Sequence, residues 1–266
     1  MSRPADRDDC TPAGDSAGVP WQGRAFQPNT HAGDDGTAPS AFLGAIAAFR
    51  AGETGPEGVI EALRDERLLI PLVAERGDEG LSPHGHVVDK TQELSIVTVA
   101  APDGRTVLPA FSSVTAMTAW DATARPIPTP VLRVAQAAVS EGTDLIVVDP
   151  GSETEFVIRR PAVWALAQGE AWMPPHTSVP VRTAFLESIA SELAALDVEL
   201  AAGDPDARMR GPETVVRLRL LQGLERHELD AVLGRLAQRW AADDRIATLV
   251  DSLSVVLVSG SAPPAS

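Results

Sequence analysis

Two histidines, His84 and His86, are separated by one glycine in a polar stretch of the chain. The acidic residues near them are Asp78, Glu79 and Asp89. Imidazole and carboxylate groups bind zinc, but a zinc site needs three or four ligands held by rigid elements. The polar segment 75–92 predicts a loop, which does not hold ligands at fixed separations. We therefore expect a solvated loop, with metal binding by His84 and His86 as the alternative.

Asp89 and Lys90 precede a predicted strand, and Lys90 is the only lysine in the chain. A buried lysine with a lowered pKa can act as a base or a nucleophile. The adjacent carboxylate favours the charged ammonium, which opposes that chemistry. We expect an ion pair at the start of the strand, with recognition of a partner carboxylate by Lys90 as the alternative.

Arginine and tryptophan residues gather in the run from Arg159 to Trp172. These two residue types dominate the binding energy of protein interfaces, so an exposed aromatic and basic groove is one hypothesis. Trp120 and Trp164 also fall on apolar helix faces, for which core packing is the competing explanation. The candidate partner-binding residues are Asp89, Lys90, Trp120, Arg159, Arg160 and Trp164.

Recognised catalytic motifs are absent from the sequence. It contains no G-x-G-x-x-G, Walker A, G-x-S-x-G, H-E-x-x-H or C-x-x-C pattern. Asp34-Asp35-Gly36 lacks the spacing of a calcium loop. A Ser-His-Asp triad can form from distant residues, so that option stays open. The sequence predicts no cofactor and favours a protein without catalytic activity.

The first part of the chain shows alternating helix and strand signals. Helices are predicted from Ser40 as N-cap and from Pro56, and Leu68–Val73 is a strand with Pro71 at an edge or bulge. Residues 94–100 and 105–111 form a hairpin through Pro102-Asp103-Gly104. Further predicted elements are a helix capped by Ser112 or Ser113, a helix from Thr129-Pro130, strands 145–148 and 155–159 joined as a second hairpin, and a helix from Pro161 to Gly169.

The second part predicts an αββαβ order. Prolines between Trp172 and Pro180 suggest a domain boundary. A helix with Phe185, Ile189 and Leu193 follows, then strands at 198–201 and 214–221. The last elements are a helix over 225–241, with an apolar stripe ending at Trp240, and a strand over 253–258.

Composition limits the classes of function. The formal net charge of −15 disfavours binding to nucleic acid or to anionic membranes. A single cysteine, Cys10, and an N-terminus without an apolar signal segment predict a cytoplasmic protein. No apolar run is long enough to span a bilayer. The sequence does not determine the oligomeric state.

Several stretches resemble the actinobacterial branch of the SseB (enhanced serine sensitivity) family. They are residues 89–94 leading to Phe111-Ser112-Ser113, residues 159–169, and the leader with Trp21-x-Gly-Arg24 and Asp34-Asp35-Gly36. The resemblance covers residues 20–176, and the later part is similar to the second domain of those proteins. It implies an α+β N-terminal domain followed by a smaller C-terminal one, and it brings no catalytic residues.

Together these patterns predict an α+β protein in four regions. Residues 1–39 are a disordered acidic leader, 40–176 an SseB N-terminal-like α+β domain with a helix-covered mixed sheet and two hairpins, 177–258 a smaller αββαβ helix-on-sheet domain, and 259–266 a disordered tail. We expect a non-enzymatic protein that binds another protein or a small ligand. A serine-related regulator or enzyme is the alternative that the family name suggests.

Overall fold

The computed structural model describes residues 33–74, 94–96, 98–100, 104–143 and 145–258. The described residues from Asp35 onward form one compact unit. Its helices are α1 (Ser40–Arg50), α2 (Pro56–Leu63), α3 (Val114–Trp120), α4 (Val131–Ser140), α5 (Arg160–Gln168), α6 (Val179–Ile189), α7 (Arg226–Ala242) and α8 (Asp244–Leu249). Its strands are β1 (Arg67–Ala74), β2 (Leu94–Ile96), β3 (Val99–Ala100), β4 (Thr106–Ala110), β5 (Arg125–Pro130), β6 (Leu145–Val148), β7 (Phe156–Ile158), β8 (Ala195–Ala202), β9 (Thr214–Leu220) and β10 (Leu253–Val258). The predicted α+β class is confirmed.

The first sheet has the order β2-β1-β5, with both neighbours antiparallel to β1. Pro71 therefore lies in the middle strand and not at an edge. The N–H of Leu69 donates to the carbonyl of Phe111, so the missing N–H of Pro71 faces the same side of β1. On that side β1 pairs with Phe111 at Leu69 and with β2 from Leu72 onward. Pro71 lies between these two pairings, so its missing N–H removes no hydrogen bond of the sheet.

The second sheet has the order β3-β4-β6-β7 and is mixed, with β4 parallel to β6. β3 with β4 and β6 with β7 are the two antiparallel hairpins. The first hairpin is shorter than predicted. The sequence predicts that residues 94–96 pair with the strand after the turn, but they pair with β1. Helices α1, α2, α4 and α5 contribute to the main core with this sheet, through side chains such as Phe42, Val134 and Val163.

The C-terminal segment follows the predicted αββαβ order, with the short helix α8 added. Its sheet has the order β10-β9-β8, antiparallel between β8 and β9 and parallel between β9 and β10. Val232, Leu236 and Trp240 of α7 and Phe185 of α6 pack with this sheet in a second core. A capping box between Glu225 and Glu228 starts α7.

Some predicted limits shift. α1 begins at Ser40 itself, after Pro39 as N-cap, and α6 ends at Ile189, so Leu193 lies beyond the helix and is 93% exposed. Residues 1–32 and 259–266 lie outside the described residues, and the domain limits stay predictions. Among the described helices, none combines the length and the apolar character that crossing a membrane requires.

Candidate functional site

A cavity of about 180 Å³ lies where the C-terminal segment meets the preceding part of the chain. We call it the junction pocket. Its apolar wall is contributed by Pro56, Ile60, Phe156, Ala162 and Trp172. Its polar residues are Arg159, His176, Asp204 and Glu213. The pocket therefore combines an apolar lining with several groups that can be charged.

Arg159 stands between β7 and α5 and is 6% exposed. Its Nη2 donates to Oδ2 of Asp204 at 2.7 Å and to the carbonyl of Gly211 at 2.8 Å. Its Nη1 donates to Oδ2 of Asp251 at 3.1 Å. Both aspartate side chains are 2% exposed. The buried positive charge of Arg159 is therefore paired inside the protein by two carboxylates from the C-terminal segment.

The loop between β8 and β9 forms one side of the pocket and is organised by Asp204. The Asp204 carboxylate accepts the backbone N–H groups of Arg208, Met209 and Arg210 at 2.8–3.3 Å. Ala207 packs in the main core, and its carbonyl accepts the N–H of Val157 from β7. These contacts fix the loop of the C-terminal segment against the second sheet.

Glu213 precedes β9 and is 8% exposed. Its Oε2 accepts the backbone N–H of Asp251 at 2.6 Å, while its Oε1 is shielded from solvent and has no hydrogen-bond partner among the described residues. Burial disfavours the carboxylate and raises the pKa of Glu213 to about 7, against the opposing effect of the hydrogen bond from the Asp251 N–H. This side chain therefore passes between its neutral and charged forms near neutral pH.

Trp172 and His176 lie on the segment that follows α5. The indole Nε1 of Trp172 is also shielded from solvent without a partner among the described residues. Burial lowers the pKa of His176, so its imidazole is neutral at pH 7. The pocket thus contains one unsatisfied donor, one unsatisfied acceptor and a histidine without charge.

The arrangement can bind a ligand, and it lacks an assembled nucleophile. Of the two histidines in the described part, His176 and His227, neither is hydrogen-bonded to a carboxylate and a hydroxyl together. In the same part of the chain no group of three or more metal-ligating side chains is placed to hold an ion. The open triad option therefore has no support among these residues.

The residues selected from the sequence lie in different places. Arg160 donates to the carbonyls of Ala247 and Val250 at the end of α8, and its guanidinium lies 5.2 Å from the ring centre of Trp164. Trp120 packs against Phe111, with ring centres 5.3 Å apart, in a separate apolar cluster. Asp89, Lys90, His84 and His86 lie outside the described residues. Partner binding by the six candidates stays a prediction.

Sequence reasoning missed Glu213, Asp204, Asp251 and His176. Asp204, in the run Gly203-Asp204-Pro205, has a signal, because aspartate in such a turn accepts N–H groups that follow it. Glu213 has no comparable signal. Its burial arises from contacts with residues that are distant in the sequence.

Comparison with known proteins agrees with the resemblance seen in the sequence. Residues 43–165, a little under half of the chain, match the family model described as the SseB protein N-terminal domain. The match supports the SseB family for this segment. The segment contains all of α2, α3 and α4 and most of α1 and α5. Neither a curated protein nor a solved structure matches the chain.

Proposed function

We propose that this protein binds a small organic molecule in the junction pocket and acts through that binding without turnover. The observation that supports the proposal is the pair of unsatisfied atoms, Oε1 of Glu213 and Nε1 of Trp172, on two residues that line one cavity. A buried polar atom without a partner costs about 1–3 kcal/mol, so such atoms are rare unless something else compensates for them. A ligand that bonds to these shielded atoms, after a movement of the side chains, offsets this cost.

The size of the cavity limits the ligand. An apolar cavity of about 150 Å³ is sufficient to bind benzene, and the junction pocket measures about 180 Å³. A single ring or short branched chain with one or two polar groups therefore fits this volume. Apolar lining residues such as Ile60, Phe156 and Ala162 would contact its hydrocarbon part.

The finer predictions from the sequence belong with this proposal. The donors of Arg159 are engaged by Asp204, Asp251 and Gly211, which favours a structural role for this residue over an exposed binding groove. The cytoplasmic location and the assignment to the actinobacterial type with a second family domain stay predictions. The serine-related alternative is tested by including amino acids in the ligand screen.

A thermal-shift screen with a blocking variant tests the proposal. Ala202, at the end of β8, lines the pocket, so Ala202→Phe places a ring in it. The matched control is Ala201→Phe, because successive strand residues point to opposite faces. A ligand at 100 times its Kd adds about 2.7 kcal/mol, which corresponds to a rise in Tm of about 5–10 °C for a chain of this size.

We expect at least one small amphipathic compound to raise the Tm of the wild type and of Ala201→Phe, and to leave the Tm of Ala202→Phe unchanged. If no small molecule raises the Tm of the wild type, the proposal is wrong. It is also wrong if every active compound stabilises Ala202→Phe equally.

A further inference from the structure

We infer that the ligand of the junction pocket is a small primary amine, whose ammonium group pairs with the carboxylate of Glu213 and whose hydrocarbon part lies against Ile60, Phe156 and Ala162. The inference rests on the proposed function and assigns its ligand a chemical class. It begins from the one buried carboxylate of the pocket that has no ion pair among the described residues.

The charged groups around Glu213 are already matched with other partners. The groups that face it from the surrounding elements are Arg159, Arg160, His176, Asp204 and Asp251, together with Arg105, which pairs with Asp251. Arg159 is shared by Asp204 and Asp251, and Arg105 lies 2.8 Å from Oδ1 of Asp251. Arg160 donates to the carbonyls that end α8, and His176 is neutral at pH 7. Among the described residues none of these cations is within ion-pair distance of Glu213, so the carboxylate is left for a cation from a ligand, which reaches the shielded Oε1 by a movement of the Glu213 side chain.

Other ligand classes fit this arrangement less well. A carboxylate ligand would meet two acidic side chains of the lining, Asp204 and Glu213, and like charges in a buried site repel strongly. A neutral acceptor could bond to the protonated form of Glu213 but would gain no Coulomb attraction. An ammonium supplies both the opposite charge and N–H donors for Oε1, and charge-assisted hydrogen bonds are about twice as strong as neutral ones.

Proton release follows from this pairing. With a pKa of about 7, Glu213 in the free protein is mostly protonated at pH 6 and mostly charged at pH 8. Pairing with an ammonium fixes the charged form, so binding should release about 0.9 proton at pH 6 and about 0.1 at pH 8. Because only the charged form is competent, the apparent affinity should rise about tenfold between these values of pH.

The test is calorimetric titration of the full chain with benzylamine, benzyl alcohol and benzoate at pH 6 and pH 8. These probes share one ring of suitable size and differ in the charge of the polar group. Each titration is repeated in two buffers of different ionisation enthalpy, which counts the protons released. The variants are Glu213→Gln, which removes the charge but keeps the shape, and Glu199→Gln, an exposed glutamate on β8, as the control. Circular dichroism checks that both variants fold.

We expect benzylamine to bind at least tenfold more tightly than benzyl alcohol at pH 8, and benzoate to bind most weakly. Glu213→Gln should weaken benzylamine at least tenfold, change benzyl alcohol less than threefold and abolish proton release, while Glu199→Gln behaves as the wild type. The inference is overturned if benzylamine does not bind, or if Glu213→Gln leaves its affinity unchanged. If benzyl alcohol or benzoate binds as tightly as benzylamine, and Ala202→Phe blocks that binding, the amine class is wrong while the proposed pocket stands.

Discussion

Nη2 of Arg159 lies 2.7 Å from Oδ2 of Asp204, and the two residues are 45 positions apart in the sequence. Arg159 is the N-cap residue of α5, and Asp204 belongs to the loop between β8 and β9 in the C-terminal segment. The pair is almost fully shielded from water, with side chains 7% and 2% exposed. It therefore joins the C-terminal segment to the preceding part of the compact unit at the edge of the junction pocket.

Removal of Arg159 should strongly destabilise the protein. Arg159→Met leaves the buried carboxylates of Asp204 and Asp251 without this cation, and breaking a buried pair costs about 3–5 kcal/mol. Urea denaturation measures the free energy of unfolding. Arg182→Met, at an exposed position of α6, serves as the control and should change it by less than about 0.5 kcal/mol. Equal effects of the two substitutions would show that the buried pair is not formed.

Replacing Glu213 by glutamine should stabilise the free protein at alkaline pH. The pKa of Glu213 is higher in the folded state than its ordinary value of 4.5, so the unfolded chain loses this proton first as pH rises. The resulting penalty for the wild type is absent below pH 4.5, grows between pH 4.5 and 7, and then stays constant at about 3 kcal/mol. Glutamine keeps an oxygen for the N–H of Asp251 and has no charge to bury.

The measurement is urea denaturation of the wild type and Glu213→Gln at pH 5 and pH 8. The variant should be more stable at pH 8, and the difference should be much smaller at pH 5. Glu199→Gln, on the exposed side of β8, should show little difference at either pH. A variant that is less stable than the wild type at pH 8 would contradict the burial of an unpaired carboxylate.

Two tryptophans should respond differently to the loss of their N–H group. Nε1 of Trp240 donates to Oγ of Ser188 at 2.8 Å, whereas Nε1 of Trp172 has no partner among the described residues. Trp240→Phe leaves a hydroxyl without its donor, while Trp172→Phe removes an unsatisfied group. Trp240→Phe should lower the free energy of unfolding by about 1–2 kcal/mol more than Trp172→Phe. Thermal and urea denaturation of both variants provide the comparison, and a larger loss for Trp172→Phe would refute it.

Two glycine-to-alanine changes should have opposite signs. Gly169 ends α5 with φ +71°, in the left-handed region, so alanine there should cost about 1 kcal/mol. Gly234 lies inside α7, where alanine should add about 0.5–1 kcal/mol through its helix propensity. A Cβ would meet no atom within 4 Å at either position, so packing does not obscure the comparison. Tm values that move in the same direction would contradict the assigned backbone at Gly169.

Periodicity in the sequence was sufficient for many elements of the fold. The stripe that contains Val232, Leu236 and Trp240 predicted α7, and the structure buries those three side chains. β5 was missed because its sequence, Arg125–Pro130, holds three prolines at alternate positions. The backbone N–H groups of alternate strand residues point to the same edge of the strand. Because β5 pairs only with β1, the prolines lie at positions whose backbone nitrogen points to the unpaired edge. A local rule against proline in strands does not anticipate this spacing.

The site was less predictable than the fold. The sequence indicates Arg159 as a partner-binding residue, but Asp204 and Asp251, 45 and 92 positions away, hold its guanidinium inside the protein. The unpaired state of Glu213 also depends on which groups the tertiary structure brings near it. Such long-range matching of charges leaves no pattern in the neighbouring residues of the chain.

The pKa of Glu213 tests the central claim most directly. Carbon-detected NMR of the side-chain carboxyl groups, with Glu213→Gln to assign the signal, follows its titration in the free protein. Burial without an ion pair predicts a midpoint near pH 7, which should move to lower pH when benzylamine is added. A midpoint near the ordinary 4.5 in the free protein would contradict the account, because it would mean that the carboxylate is solvated or already paired.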